Sequence, residues 1–101
     1  MLCHTVTYRF REGVGEDRVA DLVARLERLP ELIETIREYR FGPDLGLTEG
    51  AGDFAIVAVF EDADGWRAYR DHPSHLEVVE LVGGMIEART PVQFELRQDR
   101  G

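Results

Sequence analysis

The segment Tyr69-Arg70-Asp71-His72-Pro73-Ser74-His75 puts one phenol and two imidazoles close together in the chain. An imidazole with an ordinary pKa of about 6.5 takes and returns a proton at neutral pH. A phenol donates a hydrogen bond to a carbonyl oxygen as it becomes an enolate. In an apolar pocket, His75 as base and Tyr69 as donor therefore suffice to abstract a proton beside a carbonyl. That chemistry calls for no metal, nucleophile or cofactor. His4 is the third imidazole, and its strand face could direct it into the same pocket.

Each of these residues also has a structural reading. His72 and His75 would share one face of a helix at their spacing of i, i+3. Pro73, however, disfavours a helical backbone at His72, so the two rings need not converge. His72 then caps the next helix or bonds to a backbone group. His4 and His75 can equally be satisfied core histidines. A metal site needs a third ligand, and no spacing recruits His4 or Asp71 for it, so none is expected. Cys3 lies on the strand face opposite His4 and has no local support as a nucleophile. Trp66 reads as a helix anchor. Gly83-Gly84 is no phosphate loop, because it sits mid-helix with no Lys-Ser/Thr after it.

The elements that must position these groups follow from periodicity. Leu2, His4, Val6, Tyr8 and Phe10 alternate with Cys3, Thr5, Thr7 and Arg9, which predicts a half-buried strand ended by Gly13 and Gly15. Val19, Leu22, Val23 and Leu26 recur at helical spacing, predicting an amphipathic helix from Glu16 to Leu29. Pro30 is expected to interrupt it, with Leu32, Ile33 and Ile36 forming a further short turn. Arg37 to Phe41 reads as a strand broken by Gly42-Pro43-Asp44, and Leu45 to Gly52 as a loop. Phe54 to Glu61 is apolar on both faces, so both faces need a cover. A chain this short has helices enough for one, and the other cover is expected from a second copy. Asp62 or Asp64 caps a short helix through Trp66 and Tyr69. Pro73 suits the first turn of a further helix reaching about Ala88, with Val79, Val82 and Ile86 on one face. Val92, Phe94 and Leu96 form a last strand, and Gln98 to Gly101 are expected to fray. The order strand, helix, strand, strand, helix, strand is the split βαβ pattern of a ferredoxin-like α+β domain.

The 101 residues predict one domain, residues 1–101, and 44 % are apolar. Its size limits any pocket to one that is small or shared with a second copy. Twelve Lys and Arg against 20 Asp and Glu give a net charge of −8. That balance argues against nucleic acid and against anionic membrane surfaces. No apolar run approaches the roughly 20 residues of a membrane span. With one cysteine and no internal disulfide, a cytoplasmic protein is expected.

The early strand bearing His4, the Phe41-Gly42-Pro43-Asp44 turn, the strand ending Phe60-Glu61-Asp62 and the Tyr-x-x-His-Pro-x-His signature at 69–75 together resemble the stress-responsive A/B barrel (Dabb) family. That family lies within the dimeric α+β barrel superfamily, and the resemblance covers nearly the whole chain. It implies a ferredoxin-like βαββαβ protomer with an antiparallel four-stranded sheet. It further implies a homodimer whose two sheets close a barrel, and a pocket between sheet and helices. The family includes plant cyclases that close polyketide rings by aldol condensation without a cofactor. On that likeness His75 is the base and Tyr69 assists. His4 stands near the pocket, His72 supports the site, and Glu95 falls where a last-strand acid would help. Phe54 departs from the cyclases, which place another histidine at that third-strand position. The expected ligand is small, apolar and carbonyl-bearing, with Val6, Tyr8, Leu26, Val57 or Ile56, and Val79 lining the pocket. Two other functions fit the likeness: a ligand-binding protein of stress response without chemistry, and a cofactor-free monooxygenase acting on an electron-rich phenol.

Overall fold

A computed structural model describes residues 1–97. The expected fraying of Gln98 to Gly101 lies outside the described residues. The elements run β1 (Leu2–Phe10), α1 (Glu16–Leu32), β2 (Ile36–Pro43), β3 (Phe54–Phe60), α2 (Ala63–Asp71), α3 (Pro73–Gly83) and β4 (Ile86–Glu95). The strands form one antiparallel sheet in the order β2-β3-β1-β4. This is the ferredoxin-like arrangement, with the second helical segment divided in two.

The helices cover one sheet face only. Val6 on β1 and Phe54, Ile56, Ala58 and Phe60 on β3 are buried there, against Leu22, Leu26, Leu29 and Ile33 of α1 and its exit. Val78, Val82 and Met85 complete that core. Register places Cys3, Val57, Val59, Val92 and Phe94 on the opposite face, since Cys3 pairs with Val59 and Phe94, and Thr5 with Val57 and Val92. Val92 and Phe94 remain 52 % and 48 % exposed there. No helix of the described residues is long and apolar enough to cross a membrane.

Several boundaries differ from those predicted. Strand β2 runs through Gly42 and Pro43, which pair with Ala55 and Phe54, instead of breaking there, and β4 begins at Ile86, not Val92. Helix α1 runs through Pro30 to Leu32 instead of stopping at Leu29. Pro30 lies in the last turn, where its missing N–H forfeits a single bond to the Leu26 carbonyl. Burial of Leu29 and Ile33, joined by the Ile33 N–H to Leu29 carbonyl bond of 2.8 Å, holds the turn together. Ile36 opens β2 by pairing with Phe60 instead of continuing the helix. Helix α3 ends at Gly83, not near Ala88, with Gly84 as its cap. Two consecutive glycines weaken the helix by about 1 kcal/mol each relative to Ala. Ile86 then pairs with Phe10 and Arg89 with Tyr8, so strand hydrogen bonds take these residues. The buried positions of α3 are Val78 and Val82, which leaves Val79 turned outward at 46 % exposure.

Candidate active site

The corner between α2 and α3 builds the site. Asp62 caps α2, its Oδ1 accepting from the Gly65 N–H at 2.9 Å. About two turns of amphipathic helix then bring Tyr69 against the sheet, where it is buried and its ring packs on Phe60 with centroids 5.2 Å apart. His72 is extended (φ −65°, ψ 136°), as the following proline requires. Its Nδ1 accepts the Ser74 N–H at 3.1 Å and so caps α3. One turn later His75 folds back over the end of α2. Its Nδ1 lies 3.0 Å from the Arg70 carbonyl, an acceptor left without an intrahelical partner. A carbonyl only accepts, so that bond places the proton on Nδ1 and leaves Nε2 as the basic nitrogen. The His75 and Tyr69 rings lie 4.1 Å apart, tilted by 38°.

These two rings open onto a cleft of about 360 Å³ between β1 and the α2–α3 corner. His4, Val6, Tyr8, Trp66, Leu76, Val79 and Arg89 line the remainder, with Arg70 and Asp71 at its edge. A larger groove of about 580 Å³ follows α1 and α3, but Asp21, Arg25, Arg28 and Glu77 line it without an imidazole or a phenol. The smaller cleft therefore holds the imidazoles of His4 and His75 and the phenol of Tyr69.

Burial sets the protonation states. It pushes His75 below the ordinary imidazole value; the Arg70 carbonyl bond opposes this, and the Arg89 charge adds to it. His4 is driven further, to about 4, chiefly by desolvation and then by the nearby His75 and Arg89. Both rings are neutral at pH 7. The Gln93 amide N–H donates to His4 Nδ1 at 2.7 Å, which leaves an N–H on His4 Nε2. His4 is thus a fixed hydrogen-bond donor, 6.1 Å between centroids from both Trp66 and Tyr69. The Tyr69 hydroxyl lies 2.9 Å from the Tyr39 hydroxyl. Burial lifts Tyr69 to about 12, and the bond from Tyr39 moderates the rise. Tyr39 is raised beyond the ordinary phenol range by the same burial and by its Tyr69 neighbour. With Tyr39 donating to Tyr69, the Tyr69 proton is free to be given to a ligand oxygen.

The structure brings His4, Val6, Tyr8, Tyr69, His75 and Val79 to one cleft. It does not bring the others there. Leu26 and Ile56 are buried in the same core as Val6 but do not line the cleft, and Val57 alternates onto the open sheet face. His72 stands outside the cleft lining, its Nδ1 engaged as the α3 cap. Glu95 is 79 % exposed in its side chain and pairs with the chain's amino terminus at 3.1 Å. Gln93 supports His4 instead, because the β1–β4 register sets it directly opposite. Sequence reasoning missed Gln93, Tyr39, Leu76 and Arg89. Alternation along β2 could have put Tyr39 on the helix side with Phe41; the partners of Gln93 and Arg89 required the register. Among the described residues no three His, Cys, Asp or Glu side chains gather as a metal site.

Comparison with known proteins bears on the family and the fold. A family model described as the stress responsive A/B barrel domain matches residues 2–96. An uncharacterized protein of Streptomyces coelicolor is 34 % identical over 83 residues, covering 80 % of this chain and 86 % of the relative. A dimeric ferredoxin-like protein of unknown function from Thermobifida fusca superimposes with a TM-score of 0.89 at 39 % identity, over 94 % of this chain and 90 % of that one. A hydroxynitrile lyase from Passiflora edulis shares the fold at a TM-score of 0.84 and 15 % identity, over 99 % and 96 % of the two chains.

Proposed function

Because the chain belongs to the stress-responsive A/B barrel domain family, we propose that its cleft binds a small carbonyl compound and abstracts the proton next to the carbonyl. The observation that carries this is the tethering of His75 Nδ1 to the Arg70 carbonyl beside the Tyr69 ring. It fixes the tautomer whose free nitrogen is a base. Nε2 takes the proton, and the C–H electron pair becomes the enolate. The enolate oxygen accepts the Tyr69 O–H, with Tyr39 behind it, and the neutral His4 N–H adds a second donor. The enolate carbon then attacks a second carbonyl of the same molecule, and His75 returns its proton to the new alkoxide. This is an intramolecular aldol closure, and each of its steps uses only side chains of this chain. The nearby hydroxynitrile lyase fold shows that this architecture can house an enzyme.

Two copies pair through the open sheet face in this reading. The Thermobifida fusca relative is described as dimeric, and the exposed Val92 and Phe94 leave this chain the same kind of surface to cover. The buried free thiol of Cys3 suits a reducing, cytoplasmic setting.

The test is deuterium exchange into 4-phenylbutan-2-one in D₂O, followed by proton NMR. The wild-type protein should accelerate exchange beside the carbonyl. His75→Ala should lower that acceleration by about 10²–10⁴-fold, as loss of a general base does. A folded His75→Ala protein that exchanges as fast as wild type would overturn the assignment. Binding of the ketone without any exchange would make this a ligand-binding protein without chemistry.

A further inference from the structure

The cleft is not electrostatically neutral at its edge. The chain as a whole carries −8, yet the charged groups lining this cleft are two arginines, Arg70 and Arg89, against the single carboxylate Asp71. That carboxylate is already engaged. Arg70 holds Asp71 through two bonds of 2.8 and 3.0 Å while its guanidinium lies 5.2 Å over the Trp66 ring. Arg89 has no hydrogen bond and no ion pair among the described residues; Arg9, Arg18 and Arg28 share that state, but none of them lines this cleft, whereas Arg25, Arg37, Arg40 and Arg67 each hold a carboxylate. Its position is not casual. It sits on β4 directly opposite Tyr8, so it shares the sheet face of His4, Val6 and Tyr8. Its charge also reaches the proton-transfer groups, lowering the proton affinity of His4, Tyr8 and His75.

An arginine with its fork unused, beside an apolar wall, is suited to a carboxylate. We propose that Arg89 makes the cleft selective for carbonyl compounds that carry a carboxylate, and that it anchors the carboxylate at the mouth while the carbonyl lies against the cleft side of His75 and Tyr69. The proposal rests on the reading of the cleft as a ligand site and names its substrate class as keto acids. A bound carboxylate would also neutralise Arg89 and raise the basicity of His75, so that the correct ligand strengthens its own base.

The probes are 4-oxo-4-phenylbutanoate and its methyl ester, which differ in charge but share the ketone and the ring. Affinities are measured by NMR titration at low ionic strength, with the His4, Tyr69 and His75 resonances reporting occupancy of the cleft. The acid should bind about tenfold more tightly than the ester, and added salt should shrink that ratio. Arg89→Gln should bring the acid-to-ester ratio to about one, whereas Arg89→Lys should keep part of the preference. Equal binding of acid and ester to the wild type overturns the proposal, as does a preference that survives Arg89→Gln; in both cases the ester still occupies the cleft and the ligand-site reading stands. Failure of both probes to shift the cleft resonances removes the site itself and the proposal with it.

Discussion

The two faces of the sheet carry similar apolar residues and meet different fates. On one, Phe54, Ile56, Ala58 and Phe60 are sealed beneath Leu22, Leu26 and Leu29. On the other, Val57 is half-buried, and Val92 and Phe94 remain about half exposed. The covered face is closed over β2 and β3 but gapes over β1 and β4, and the gap is the cleft with His4, Tyr69 and His75. The contrast separates three uses of an apolar strand: packing against helices, lining a hollow, and waiting for a second copy. Leucines close the first region because flexible aliphatic side chains interdigitate at crystal-like density. Rigid rings with polar tips hold the second open, since their tips need partners that a close-packed layer would not provide.

The largest effect should come from emptying the closed region. Leu26→Ala should destabilise the protein by about 2–5 kcal/mol, because Leu26 is fully buried and its neighbours relax only partly. Val79→Ala, on the wall of the cleft, should cost less than about 1 kcal/mol. Urea unfolding of both variants measures the difference, and equal losses would mean that the cleft is as tightly packed as the core.

The open face should respond in assembly instead of folding. Phe94→Glu should weaken self-association by more than about tenfold, since it sets an unpaired charge in an apolar interface. Sedimentation velocity across a concentration series reads this, with unfolding of the monomer followed in parallel. A wild-type chain that stays monomeric, or a variant that still dimerises, would remove the open face as the interface.

The remaining effect concerns acid. His4 has a folded pKa of about 4, below its ordinary 6.5, so the fold favours the neutral ring. The stability this confers is fully present above about pH 6.5 and is lost as pH falls toward 4. One proton contributes a slope of no more than about 1.4 kcal/mol per pH unit, and His75, lowered in the same sense, adds to it. His4→Asn should flatten the curve between pH 6.5 and 4 while leaving the His75 part. An unchanged slope would show that His4 is no more desolvated in the folded protein than in the unfolded one.

Much of this architecture is legible in residue spacing. The alternation of β1, the doubly apolar β3 and the helical repeat of α1 each reflect a local rule, one side of an element facing oil and the other water. Boundaries are less so. Pro30 reads as a stop and is passed, because the cost of one lost bond is small beside the burial of Leu29 and Ile33. The run Val79, Val82, Ile86 reads as helix, although Ile86 already belongs to a strand. Within the cleft, the short range from Tyr69 to His75 spans a local corner, so their pairing was legible. Apolar character alone points Leu26, Ile56 and Val57 to the lining, because it marks a residue as covered without saying by what.

The chain's own order of residue types was enough to establish the α+β pattern, the meeting of Tyr69 and His75 at the α2–α3 corner and the excess of apolar strand surface. Only the tertiary structure decided that Gln93, not Glu95, orients His4, that Tyr39 stands behind Tyr69, and that Arg89 lines the cleft without a partner among the described residues. The reason is physical. Periodicity encodes which side of an element is buried, whereas the partner across a sheet depends on register between strands more than 80 residues apart, as for His4 and Gln93 with a separation of 89. Register is fixed by the summed packing of all four strands at once.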